Sequence, residues 1–264
     1  IRLSLVGSEM CIRDRVSLTL MGVGSDWNDK LLDEMAQISG SPDASIYIDS
    51  TNKIVKTFQD RIQRMGSSFA LDLSLTLHLS DEVQLKEGFR VSPQISQVRF
   101  EDNQVSLGTL RRQDPLVLIL ELLVTNKTPG EHRLLQVDVE GVVPPIGQQP
   151  VRARKPVMVS FDTKLGKRAP VPPDIVSAMG KLTIFKMQER AMTDIDAGRI
   201  EPAVSRLKTM ATRLLDIGEV ELARAALLEA GRLSQTGSLS ASGRKKIRYG
   251  TRGLTIVPKE VRYD

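Results

Sequence analysis

Cysteine is almost absent from this 264-residue chain, Cys11 being the only one. A single thiol forms no internal disulfide and builds no Cys-based metal site. Histidine is nearly as scarce, with only His78 and His132. No Ser/His/Asp set can be argued around either, and neither an HExxH segment nor a Walker A run occurs. Aromatic residues make up 4%, too few for a surface that grips nucleic acid by stacking its bases. There is no run of about 18 apolar residues, so no membrane-spanning helix is expected. Together these absences argue against an enzyme and against a cofactor site within the chain.

What is present is enough apolar sequence, 41%, to bury more than one core,. The length points to two or three domains. The opening residues 1–15, IRLSLVGSEMCIRDR, resemble a translated adapter tail and are set aside as non-native. If they are foreign, Cys11 goes with them, and the compartment is left open with a cytoplasmic one favoured. The net charge of +5 is uneven. Residues 241–264 hold seven basic side chains and two acidic ones, so the rest is close to neutral and the basic character belongs to the tail.

Residues 16–66 read as an α/β unit. Val16, Leu18 and Leu20 alternate with Ser17, Thr19 and Met21, which is strand periodicity. The chain then breaks at Gly22 and Gly24. Ser25 or Asp26 is expected to cap a helix carrying Leu31, Leu32, Met35 and Ile38, with Gly40 as its stop. Gly22 and Gly24 lack the third glycine of a dinucleotide fingerprint, and a strand-to-helix turn explains them. A second strand over 44–48 and a helix carrying Ile54, Val55, Phe58, Ile62 and Met65 follow. The order strand, helix, strand, helix implies a parallel sheet, but two strands make too small a core to stand alone. Apolar strand faces such as Leu20 are then an aggregation hazard.

From 67 to 165 the periodicity becomes 2. Phe69, Leu71, Leu73, Leu75, Leu77 and Leu79 alternate with polar residues, predicting one buried face. Further strands are expected over 83–91, 95–101, 104–108, 116–125, 132–142 and 150–161. Seven short strands without helices read as an antiparallel β-sandwich. Residues 116–123 are apolar on both faces apart from Glu121, which predicts a central strand. His78 is expected on the solvent face of its strand. Paired carboxylates such as Asp33–Glu34 and Asp81–Glu82 are expected on solvated faces.

A Pro-rich linker at 166–173 leads into helices over 175–197, 200–217 and 219–233, so that 174–238 is expected to be a helical bundle or set of hairpins. Gly198, Gly218 and Gly237 punctuate them. The two-helix period is about 39 residues, longer than the roughly 34 of tetratricopeptide repeats. The basic tail, 239–264, is left as a short helix and an extended segment. Its Arg244, Lys245, Lys246, Arg248 and Arg252 are candidate contacts for phosphates or an anionic surface. With Tyr249 as the one aromatic among them, nucleic acid is not the favoured partner.

In order, these segments resemble the C-terminal part of bacterial von Willebrand factor type A (VWA) domain proteins. The resemblance rests on VSLTLMGVGSDWNDKLLDEMAQISG at 16–40, close to the family's late strand, G-x-G-x-D-x-N turn and L-L-x-x-M/I-A helix. ASIYIDSTNKIVKTFQDRI at 44–62 is similar to its last strand and helix. The trailing β-rich and helical segments resemble the layout of multidomain bacterial members.

The resemblance implies a non-enzymatic, adhesion-type interaction scaffold with a protein partner. It also implies a metal-ion-dependent adhesion site, in which oxygen ligands hold Mg²⁺ for a partner's carboxylate. That site takes its ligands from a D-x-S-x-S turn, a later Thr and an Asp upstream of the region matched. No D-x-S-x-S occurs here, and Asp26 belongs to the turn. Mg²⁺ is therefore expected only in an intact VWA domain, and the chain is expected to be an N-terminally truncated fragment. Two other readings stay open. One is anion binding, to nucleic acid or acidic lipid, through the basic tail. The other is peptide binding by a tetratricopeptide-like region over 175–237.

Overall fold

The computed structural model describes residues 20–38, 45–65, 68–112, 114–125, 128–162 and 170–255. The adapter-like opening with Cys11, Val16 and Leu18, the Gly40 stop, residues 166–169 of the linker, and Lys259 and Arg262 lie outside them.

The α/β unit runs β1 (Leu20–Val23), α1 (Asp29–Ile38), β2 (Ser45–Ile48) and α2 (Asn52–Met65). β1 and β2 pair in parallel, from Leu20 opposite Ser45 to Val23 opposite Ile48. The helix cap differs from the expectation of Ser25 or Asp26. Gly24 takes a left-handed turn at φ 71°, and the Trp27 indole folds back to donate to its carbonyl at 2.8 Å. Trp27 lies so close to Gly22 that a Cβ there would sit 2.1 Å from the ring. The turn therefore runs on two or three residues further. Asn28 becomes the cap, its Oδ1 accepting from Lys30 N at 3.1 Å and Leu31 N at 3.2 Å,. The apolar faces of both helices remain in solvent, Val55 at 64% and Phe58 at 56% exposure, with Leu31, Met35 and Ile62 also exposed.

Seven antiparallel strands follow: β3 (Ser68–Leu79), β4 (Val83–Ser92), β5 (Ser96–Val98), β6 (Gln104–Arg111), β7 (Val117–Val124), β8 (Gly130–Val142) and β9 (Pro150–Phe161). They form a four-stranded sheet, β6-β3-β8-β9, and a three-stranded sheet, β5-β4-β7. Leu73, Leu75, Leu77, Leu107 and Leu135 of the first sheet share an apolar cluster with Leu118, Leu120 and Leu122 of the second. At the start of β3 the alternation slips. Asp72 adopts φ 51°, and one extra residue between Ala70 and Leu73 shifts the register against both neighbours. That bulge reverses the faces, so Ala70 is buried and Phe69 is exposed,.

β7 is an edge strand, which corrects the expectation of a central one. Its two apolar faces meet two different layers. Leu116, Leu118, Leu120 and Leu122 face the inter-sheet cluster, while Val117 and Ile119 face a helical cluster.

That cluster belongs to α3 (Pro173–Asp196), α4 (Ile200–Asp216), α5 (Val220–Thr236) and α6 (Ala241–Arg252). Leu182, Leu207, Met210, Leu214, Leu233 and Ile247 are buried in it with Phe89, Val91 and Ile95 of the three-stranded sheet region. Phe89 meets Phe185 edge-on at 6.5 Å between ring centres, and the Lys186 ammonium lies 4.6 Å from the Phe89 ring centre. Gly198, Gly218 and Gly237 close α3, α4 and α5 with φ of 74°, 82° and 72°, the left-handed conformation that glycine adopts without a Cβ clash. The four helices close on one core, so the tetratricopeptide-like groove finds no support here. The described helices include none long and apolar enough to cross a membrane.

The stretch read as a basic tail is the fourth helix of this unit through Arg252. Ser240 Oγ caps it by accepting from Gly243 N at 2.9 Å, and Glu229 of α5 accepts from Ser240 N at 2.7 Å. Ile247 and Leu254 are buried in the helical core. The sequence hid this because α6 is mostly polar; beside Ile247 its buried residues are Lys245 and Thr251.

Candidate functional site

Lys245, Arg248, Tyr249 and Arg252 fall at i, i+3, i+4 and i+7 of α6, so they form one stripe along the helix. On α1, Asp29 and Asp33 are four residues apart and also share a face. The two stripes meet. Arg252 grips Asp33 with both terminal nitrogens, Nη1 to Oδ1 at 2.7 Å and Nη2 to Oδ2 at 2.8 Å. Arg248 bridges Asp29 at 2.7 Å and Asp33 at 2.8 Å. Ser45 Oγ, at the start of β2, donates to Asp33 Oδ1 at 2.9 Å, and Tyr249 OH donates to the same oxygen at 3.3 Å.

Asp33 is 7% exposed, in contrast to the solvated position expected of the Asp33–Glu34 pair. Glu34 is exposed. A buried carboxylate is costly unless paired and hydrogen-bonded, and Asp33 has both kinds of partner. Burial acts to raise its pKa, but the hydrogen bonds and charge of Arg252, the charge of Arg248 and the Ser45 hydrogen bond outweigh it. The carboxyl is held below its ordinary value. Burial, then the Asp33 charge, pushes the Tyr249 phenol up to about 12. On Arg252 burial opposes the charge, but the Asp33 hydrogen bonds and field win, and its pKa is raised.

Lys245 reaches past this pair to the turn after β1. Its ammonium donates to the carbonyls of Ser25 and, at 2.8 Å, of Trp27. It also lies 4.3 Å from the Trp27 ring centre,. Trp27, Tyr47 and Tyr249 form a triangle with ring-centre distances of 5.7, 6.0 and 6.1 Å. The Arg248, Arg252 and Asp33 side chains beside them are largely shielded from water, which strengthens their ion pairs. Asp196, at the end of α3, accepts from Arg244 at 3.2 Å and pairs with Lys30 of α1 at 3.5 Å.

Four of the five candidate anion contacts are thus held by groups of the chain itself: Arg244, Lys245, Arg248 and Arg252. Lys246 is exposed. It lines a shallow depression of about 230 Å³ with Tyr47, Arg224, Leu228 and two carboxylates, Glu221 and Glu229. An anion-binding tail finds no support in this arrangement. Asp29, Trp27 and Tyr47 escaped the sequence reading, and Asp33 was expected on a solvated face. The usable signal was the i, i+4 acidic spacing on α1 against the i, i+3, i+4, i+7 stripe on α6.

The arrangement is a joint. It aligns no nucleophile with a base, and it fixes α1 and the turn after β1 to the helical unit. Among the described residues no three His, Cys, Asp or Glu side chains converge to hold a metal ion. Asp26 instead accepts from Ser25 Oγ at 3.0 Å. The described residues do not fit an adhesion-type Mg²⁺ site. His78 is on the exposed face of β3, and His132 Nε2 lies 2.8 Å from Thr128 O.

Residues 173–256 match the family described as "Sll0103-like, C-terminal alpha-helical domain", which takes in α6 along with the other three helices. The chain is similar to the uncharacterized protein sll0103 of Synechocystis sp., with 24% identity over 242 residues, 89% of this chain and 57% of that protein. It is also similar to the solved structure of a von Willebrand factor type A protein from Catenulispora acidiphila, with a TM-score of 0.71 and 12% identity. That likeness covers 94% of this chain and 61% of the other. The chain therefore spans a little over half the length of each of these two proteins. Its fold is VWA-like, with a helical domain whose residues 173–256 are similar to the Sll0103-like family.

Proposed function

We propose that this chain is the C-terminal part of a VWA-family protein-interaction scaffold, and that it is not an enzyme. The observation that carries the reading is the likeness in fold to a VWA protein over nearly the whole chain. The α/β unit supports it. Two parallel strands flanked by helices with bare apolar faces are what the end of a larger doubly wound domain would look like, with its other strands covering Leu31, Met35, Val55, Phe58 and Ile62. The two β-sheets, read as a β-sandwich, and the helical unit serve as a rigid support, and α6 fixes the α/β unit to them. A partner would bind at a Mg²⁺ site completed by upstream residues.

The test is the DNA upstream of Val16, followed by calorimetry. The reading expects the frame to continue into a D-x-S-x-S turn, and the extended protein to bind Mg²⁺ one-to-one. The 264-residue chain should bind Mg²⁺ negligibly. A one-to-one Mg²⁺ site in the 264-residue chain itself would overturn the reading.

A further inference from the structure

The outer face of the four-stranded sheet carries a second polar cluster, remote in sequence from the α6 joint. Three adjacent strands place their polar residues in register there. Thr76, Asp138 and Arg154 form one cross-strand row, and His78 stands opposite Gln136 in the next. Asp138 is on this outer face, yet its side chain is only 6% exposed because its neighbours cover it. Gln136 Nε2 donates to Oδ1 at 2.8 Å. Arg154 Nε donates to Oδ2 at 3.0 Å, and His78 Nε2 lies 3.4 Å from the same oxygen.

The carboxylate therefore holds Arg154 by its Nε edge. The outer pair of guanidinium nitrogens makes no hydrogen bond among the described residues. That fork is the edge that recognises the oxygens of a carboxylate or phosphate. Arg154, Arg152, Arg133, His78, Gln136 and Thr76 surround a depression of about 320 Å³. Arg152 is bound at 3.1 and 2.9 Å to Glu140. Arg133 is exposed and pairs with no carboxylate among the described residues. Three arginines against two carboxylates, both already engaged, leave an excess of positive charge around the depression.

We propose that this depression binds a phosphoryl group, with Arg154 and Arg133 as its principal contacts and Asp138 as the residue that positions Arg154. Two unsaturated guanidinium groups offer more donors than the two oxygens of a single carboxylate use, and a phosphoryl group has three. The volume admits a small phosphate monoester as well as the free ion. The site is independent of the scaffold reading and of α6.

The test is calorimetric titration of the whole 264-residue chain in a chloride buffer. The probes are inorganic phosphate, glycerol 3-phosphate and O-phosphoserine, with malonate as the carboxylate comparison. One saturable site per chain is expected, weakened by added salt. Arg154→Ala and Arg133→Ala should each raise Kd about tenfold or more, as loss of a charged hydrogen bond dictates. Arg154→Lys should recover little, because it keeps the charge and loses the fork. Tighter binding of the two esters marks an esterified ligand, and binding of inorganic phosphate alone marks the free ion; either supports the site. Circular dichroism confirms that these surface variants stay folded. Absence of saturable binding by all three phosphates overturns the proposal. So does binding unchanged in both alanine variants, or malonate binding as tightly as the phosphates.

Discussion

Arg252 and Asp33 are 219 residues apart in sequence and meet through two parallel hydrogen bonds of 2.7 and 2.8 Å. The pair joins the last described helix to the first one. Around it, Arg248, Tyr249 and Ser45 complete the partners of a buried carboxylate. Removing one member of such a pair leaves a charge buried without compensation, which is far more damaging than losing a surface ion pair.

The first expectation concerns acid. Asp33 has a folded pKa below its ordinary value of 3.8. Its contribution to stability is therefore complete above pH 3.8 and is lost as pH falls through the lower folded value. Denaturant midpoints measured from pH 5 downward should fall more steeply for the natural chain than for Asp33→Asn. Equal slopes would count against a native-state role for the carboxylate.

Alkali acts on the other side. The Tyr249 phenol titrates near 10.0 when unfolded and at about 12 in the fold. Its stabilising contribution is thus complete below pH 10 and is lost as pH rises toward 12. Tyr249→Phe should remove that part of the alkaline loss, measurable by comparing thermal midpoints of the two proteins at pH 9 and 11. An identical alkaline decline would show that Tyr249 is not held in this environment.

β7 supplies a packing test. Ile119 and Leu120 are adjacent on an edge strand and face different apolar clusters. Each substitution to Ala should cost about 1–3 kcal/mol, the lower part of the usual core range because both sites are half-buried. Leu123→Ala, at an exposed neighbour, should cost no more than about 0.5 kcal/mol. A near-zero cost at Ile119 would mean that the helices do not cover that face.

These cases show how far the chain could be read in advance. The strand, helix, strand, helix order of residues 20–65 follows from the spacing of apolar side chains, which marks each element even where, as on both helices, that face is left in solvent. The span of β9, exposed along nearly its whole length, follows from the turn residues at 144–147 that precede it. The bulge at Asp72 could not be read, since an inserted residue reverses the faces without changing the composition. β7 was misplaced because two-sided burial comes from a sheet centre or from a third layer, and only the helices of the C-terminal unit distinguish them. The α6 joint stayed hidden for a related reason. Charge signals solvent in the usual case, and here the buried surface is ionic, so its partner could be found only by matching Asp29 and Asp33 to a stripe more than 200 residues away.

Trp27 is the only tryptophan in the chain and touches the joint directly through Lys245 and Tyr249. Deleting the chain from Arg244 onward should shift its emission to the red as water reaches the ring. Lys245→Met should alter emission intensity with a smaller shift, because the ammonium is lost while the helix stays. Unchanged emission after the deletion would place Trp27 outside the joint.

The central claim, that α6 is a docked clamp on α1, is tested most directly by a double-mutant cycle on stability with Asp33→Ala, Arg252→Ala and the double variant. Each single change is expected to cost about 3–5 kcal/mol, with a coupling of roughly 2 kcal/mol or more between them. The double variant should then be far less destabilised than the sum of the singles. Additivity within about 0.5 kcal/mol would contradict the clamp.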